Sequence, residues 1–538
     1  MRKRMLVLMS LVLILSAFLA ACGNDKGGSD KSSSQNLRLN IVSEPPTLHP
    51  ALATDSTSGG VLIQTFEGLT RIDKDGVPQP AMAEDIQVSD DQLTYTFKIR
   101  EDATWTNGDP VTAEDFEYAW KWAIDPQNQS QYAYQLYSIK GAEAANNGEG
   151  SLDDVAVKVV NEKTLEVTLV NPTPYFLQLL AFYTYFPVNK NVAEANPDWY
   201  KDAGDDYVTN GPFKMTEWNH SESILLEKNE DYWDADTVKL ETVEMSMVEE
   251  PTTELSMFDN DELDWAGLPF GALPTDSIKA LKDNGDLNVK AIAGTYWYKF
   301  NTEEKPFNNE NIRKALTYAI DRKAIVEQIT QGGQIPAMAV VPPTMFSENE
   351  KGYFKDNDIE AAKAALEKGL KEEGYASVKD LPKITLSYNT SEAHAKIAQA
   401  VQDMWKKNLG IDVELDNEEW QVYLEKIDSG DYQIGRMSWS GDYNDAFNFL
   451  ELYRDANGGN NDTGWENPEY KELLIASQKE TDEAKRKQLL QDAEAILMNE
   501  LPIAPVYFYT NTWVQKENLK DVVISGLGEA QLKWAHFE

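Results

Sequence analysis

The chain has 538 residues, more than one hydrophobic core usually serves, so two or three domains are predicted. Its composition is that of a folded protein, 42% hydrophobic with 14 tryptophans. A net charge of −41, from 49 basic and 90 acidic residues, excludes a general nucleic-acid binder and a protein held to anionic lipid by a basic face.

The N-terminus carries the first strong signal. "MRKR" is a basic n-region, and the apolar run behind it stops at "LAAC", Leu19 to Cys22. The run is short for a permanent membrane span, and the sequence that follows is polar. Residues 1–21 read as a secretion signal. Cys22 is the single cysteine, which leaves no disulfide, thiolate cluster or cysteine nucleophile. Residues 22–36 are rich in Gly, Ser and polar side chains and read as a flexible tether.

The body opens with a strand pattern, "LRLNIV". In "LTYTFKIR", Leu93, Tyr95, Phe97 and Ile99 share one face of a strand. "TAEDFEYAWKWAI" predicts a helix capped by Thr112, with Glu114 and Asp115 in its first turn. "TLEVTLV", "ILLEK" and "LDWAGL" read as further strands. "NIRKALTYAIDRKAIVEQIT" predicts a helix with Ile312, Leu316, Ala319 and Ile320 on one stripe. "SEAHAKIAQAVQDMWKKNLG" predicts another, ended by Gly410. Strand "IDVELD", helix "QVYLEKIDSG" and strand "YQIGRMSW" follow, so residues 291–509 read as an α/β domain. "GGNNDTGWENPEY" reads as a long turn ahead of a helix.

Catalytic motifs are missing. His49, His220, His394 and His536 are scattered without a metal-binding spacing, and there is no phosphate loop, nucleophile elbow or dinucleotide fingerprint. A secreted hydrolase is the weaker reading, and no metal or cofactor is predicted. The stretch "RMSWSGDYNDAFNFL", Arg436 to Leu450, is too polar for a buried strand and too aromatic for an ordinary loop. It begins where a predicted strand ends, which is where open α/β sheets bind ligands.

"IVSEPPTLHPALATDSTSGGVLIQTFEGLTRIDKDGVPQPAMAED" runs on into "LTYTFKIREDATWTNGDPVTAEDFEYAWK". With "YWYKFNTEEKPFNNENIRKALTYAIDR" and "LPIAPVYFYTNTWV" in order behind them, these segments resemble the peptide-binding family of ABC-transporter solute receptors, extracellular solute-binding family 5, over Leu37 to Glu538. The likeness is strongest to the oligopeptide-binding lipoproteins of Gram-positive bacilli. "LAAC" likewise resembles a lipobox, which implies lipidation of Cys22 and attachment to the outer face of the cell membrane.

The resemblance implies an α/β, type II periplasmic-binding-protein-like fold. Two lobes are built from three domains, joined by two hinge strands and closing around the ligand. Domain I would comprise 37–66, 191–290 and 510–538, domain II 67–190, and domain III 291–509. The implied function is capture of short oligopeptides for ABC permease subunits, by an expected monomer. A same-fold receptor for a dipeptide, haem, nickel chelate or oligosaccharide is the alternative. By match to the family, Asp442 would take the ligand ammonium, and Trp439, Trp420 and Tyr509 would line side-chain pockets. Arg436 would sit near a ligand terminus, Tyr132 would touch the ligand backbone, and Asn389 and His394 would lie toward its carboxyl end. Gram-negative relatives carry an acid where Thr54 stands and an arginine where Ile427 stands, with Lys426 and Arg436 left nearby.

Overall fold

The computed structural model describes residues 34–538 except Asp75, Asn457 and Gly459. The signal, Cys22 and the tether as far as residue 33 lie outside the described residues. Three main sheets carry the body. In the first, Asn36–Asn40 runs parallel to Thr242–Ser246, which continues antiparallel into Ser223–Lys228 and Phe213–Asn219. Pairing starts at Asn36, a residue assigned above to the tether. The carbonyl of Gln35 already accepts the Glu241 N–H at 2.8 Å, so the backbone is committed to the sheet there.

The second sheet is an antiparallel set, Ala83–Val88, Thr94–Ile99, Thr164–Thr168 and Val157–Asn161. Its alternation is the predicted one: Tyr95, Phe97 and Ile99 are buried. Helix Ala113–Ile124 has a capping box in which the Asp115 carboxylate accepts the Thr112 N–H at 2.8 Å. Phe116, Trp120 and Ala123 point into the core. The 3₁₀ segment Gln131–Ser138 follows and carries Tyr132.

The third sheet places the candidate site. Its order is Trp265–Gly267, Ile503–Gln515, Asn288–Phe300, Ile434–Ser440, Ile384–Asn389, Val413–Glu418. The last three strands are parallel, so Asn389, Glu418 and Ser440 end on one edge. Helix Glu392–Leu409 is capped by Ser391 and closed by Gly410 at φ 73°, as the punctuation predicts. The two long central strands, Asn288–Phe300 and Ile503–Gln515, pair antiparallel, with a register shift between Ala291 and Thr295. Each strand thus runs through a bulge that divides its pairing into two stretches.

One predicted helix breaks in two. Residues Glu310–Tyr318 are helical, a new helix starts at Arg322 with Asp321 as its cap, and a wider π-type turn spans Val326–Thr330. The cause is Arg322, whose guanidinium is fully buried and donates to the carbonyls of Pro505 (2.7 Å), Thr317 (3.1 Å) and Ile320 (3.3 Å). Carbonyls serving Arg322 leave the helical ladder. Apolar periodicity hid the break because Ile312, Leu316, Ala319 and Ile320 all still reach the core.

Candidate ligand-binding site

The strand Ile434–Ser440 and the bend after it carry the stretch singled out in sequence. The Asp442 carboxylate accepts hydrogen bonds from Gln135 Nε2 (2.8 Å), Asn448 Nδ2 (3.2 Å) and the Tyr132 hydroxyl (3.4 Å). All three donors are neutral, and no Lys, Arg or His pairs with Asp442 among the described residues. Burial pushes its carboxyl well above the usual aspartate range, with Glu451 and Glu529 adding to the rise against the Asn448 hydrogen bond. This is an enclosed acid without a counter-ion.

Asn448 organises that acid. Its Oδ1 accepts both the Asp442 N–H and the Trp439 indole N–H at 2.9 Å, while its Nδ2 donates to the carboxylate. The Trp439 and Tyr132 rings face each other at 6.3 Å. Sequence reasoning missed Asn448 and Gln135. The polar Asn448 inside the apolar run "AFNFL" was the available signal, because a buried amide in such a run has a partner to satisfy. Asp445 is the turn residue expected beside Asp442: it accepts the Phe447 N–H at 2.9 Å and holds Arg486 in a bidentate pair at 2.7 and 2.9 Å.

A second cluster surrounds Arg436 on the same strand. Its guanidinium donates to the Tyr509 hydroxyl (2.8 Å), Asn389 Oδ1 (3.3 Å) and Ser438 Oγ (3.4 Å), and lies 4.7 Å from the Tyr296 ring centroid. His394 is 5.6 Å from the same ring. Burial, with the Arg436 charge nearby, pushes the His394 imidazole well below its ordinary range, so it stays neutral, and its Nδ1 has no hydrogen-bond partner. No carboxylate pairs with Arg436 among the described residues. Arg436 is therefore the mirror image of Asp442, a buried cation held only by neutral acceptors and an aromatic face.

The structure thus brings Asp442, Trp439 and Tyr132 into one group and Arg436, Asn389, His394 and Tyr509 into another. Trp420 joins neither by a hydrogen bond. It opens helix Trp420–Asp428 beyond the end of a parallel strand and stacks at 6.4 Å on Tyr423. Lys426 is not available to the Arg436 group, because Asp416 (2.5 Å) and Glu418 (2.8 Å) hold it. Ile427 is buried in a cluster with Tyr423 and Tyr432, so a side chain at that position packs inward.

The chain is 62% identical over 546 residues to the oligopeptide-binding protein OppA of Bacillus subtilis, covering 100% of both. Listeria monocytogenes OppA bound to peptide superposes with a TM-score of 0.84 at 32% identity, over 94% of this chain and 99% of that one. For the murein tripeptide binding protein MppA in its unliganded open form, the TM-score is 0.65 at 31% identity, over 94% and 98%. At near-equal identity this chain superposes more closely on the peptide-bound structure than on this open one. The fold is type II periplasmic-binding-protein-like. A family model described as bacterial extracellular solute-binding proteins, family 5 Middle, matches residues 77–461, and the chain belongs to that family.

Proposed function

We propose that this protein is a receptor at the outer face of the cell membrane that encloses short oligopeptides and delivers them to ABC permease subunits. The observation that carries the reading is Asp442, a part-buried carboxylate in reach of three neutral donors and, among the described residues, no cation. Peptides of any sequence share an ammonium end, and a charge-assisted bond there contributes roughly 1.5–3 kcal/mol once water is excluded. Arg436 supplies the complementary charge for the carboxyl end, with Asn389, His394 and Tyr509 around it. Six residues separate Arg436 from Asp442. Four of those positions run along the strand to Ser440, roughly 13 Å at about 3.3 Å per residue, and the rest lie in the bend, a span suited to peptides of a few residues. Trp439, Trp420 and Tyr132 offer aromatic surface that accepts many side chains.

The domain limits stated above would leave the first sheet in domain I and the second in domain II, while the third would join strand Trp265–Gly267 of domain I to the strands of domain III. Strands Asn288–Phe300 and Ile503–Gln515 cross both proposed limits of domain III, and their shared register shift is where a hinge would flex. Lipidation of Cys22 would hold the body to the membrane as a monomer on a leash. Family membership argues for capture rather than turnover. The test is mass spectrometry of small molecules released on denaturing the purified protein, with calorimetry of tri- to pentapeptides beside cello-oligosaccharides and haem. Peptides are expected among the released ligands and heat with peptides alone. No heat with any peptide overturns the reading.

A further inference from the structure

A groove of about 260 Å³ lies apart from the residues assigned above, between segments of proposed domains II and III. Its first wall is aromatic and apolar, from Tyr137, Val170, Pro172, Pro174 and Tyr175. The second is cationic, with Arg454, Lys471 and Lys479. Tyr175 stacks at 4.4 Å on Tyr443, the residue after Asp442, so the groove backs onto the candidate site without sharing its polar groups.

Two features of the groove are unusual for this chain. First, large apolar side chains are exposed on both sides of it, Val170 at 53% and Ile475 at 36%. Second, the groove carries surplus positive charge in a protein of net charge −41. Asp455 is shared between Arg454, at 2.7 Å, and Lys471, and Glu143 lies 3.5 Å from Arg454. Arg486, also in the lining, is neutralised by Asp445. Lys479 forms no ion pair among the described residues, which leaves one cation over. A single negative charge with an apolar body complements both walls, and the volume of about 260 Å³ lies just below the usual range for ligand pockets, roughly 300–1,000 Å³, which suits a small ligand.

We propose that this groove is a second binding site, for a small organic monocarboxylate with an apolar body. One wall comes from residues 137–175 and the other from 454–486, so the complete site exists only when the two halves meet. A ligand that needs both walls favours the closed arrangement and, by linkage, tightens the peptide. This coupling, unlike the site itself, rests on the peptide-receptor reading.

The test uses 3-phenylpropionate as probe, with inorganic phosphate for charge alone. Saturation-transfer NMR on the purified protein should show 3-phenylpropionate bound and phosphate unable to displace it. The paired change Lys471→Gln with Lys479→Glu should abolish that signal, as should Val170→Asp on the opposite wall, with circular dichroism and Tm confirming the fold. Calorimetry should show peptide Kd lowered at least about twofold by saturating 3-phenylpropionate in the parent protein and unchanged in either variant. An absent signal, a signal that survives both variants, displacement by phosphate, or displacement by peptide would each overturn the proposal. Carboxylate binding that the variants remove, in a protein that takes no peptide, would keep the groove and sink the receptor reading instead.

Discussion

At the scale of single residues, a buried cation and a part-buried acid stand near each other in sequence, and neither forms an ion pair among the described residues. Asp442 and Arg436 leave one strand and its bend, and each is held by neutral partners, with Arg436 Nε left without one. Truncating one member of a buried charge pair costs about 2–5 kcal/mol, or roughly 30-fold and upward in affinity. Asp442→Ala should weaken peptides with a free N-terminus by that factor and N-acetylated peptides little, as read by calorimetry. Equal losses for both would remove the ammonium role. The pH dependence has a definite sign. Burial raises the Asp442 carboxyl, and only its ionised form attracts an ammonium. Affinity should therefore fall by roughly tenfold per pH unit once the pH drops below the raised value, starting well above the ordinary aspartate range. Asp442→Asn should show a flat profile over the same interval.

At the scale of elements, buried polar side chains place the breaks that periodicity cannot. Arg322 gathers three backbone carbonyls and the Asp356 carboxylate at 3.2 Å, and so joins a helix end to strand Ile503–Gln515. Removing it takes the guanidinium donor from the Pro505 carbonyl and the cation from Asp356, while Thr317, Ile320 and Asp356 keep backbone N–H partners. Arg322→Ala should cost about 3–5 kcal/mol of stability in denaturant unfolding. A loss under 1 kcal/mol would mean that water replaces the guanidinium freely. Asn448 plays the corresponding part in the ligand loop, where one amide fixes Trp439 and both the backbone and side chain of Asp442.

At the scale of the whole molecule, acids held neutral by burial tie stability to pH. Glu451, Glu494 and Glu529 are each pushed up to about 7 by burial. An unfolded glutamate titrates near about 4.3, so between those values the folded chain binds more protons than the unfolded one. Stability then falls as pH rises through that window. His220 acts in the same direction, because hydrogen bonds to Asp202 and Glu44 raise its imidazole and that contribution is lost as pH rises through the raised value. Calorimetric Tm should accordingly be higher at pH 5.5 than at pH 8. The Glu529 carboxylate accepts no hydrogen bond among the described residues, and Glu529→Gln should flatten part of the slope. A Tm that rises with pH over this interval would contradict the assignment.

The sequence by itself determined the strand alternation, the helix cap at Thr112, the helix end at Gly410, and the family. These are local properties: a periodicity, a cap or a contiguous motif reads the same in any tertiary setting. It also singled out "RMSWSGDYNDAFNFL" as an unusually polar and aromatic stretch at the end of a predicted strand. Only the tertiary structure showed that Asp442 and Arg436 have no counter-ion among the described residues, since that depends on which distant charges come near and which are already taken, as Lys426 is by Asp416 and Glu418. Only the tertiary structure, likewise, split the predicted helix at Arg322 and brought Gln135 and Asn448 to one carboxylate. Buried polar groups find partners wherever the chain folds back, and sequence distance carries no record of that.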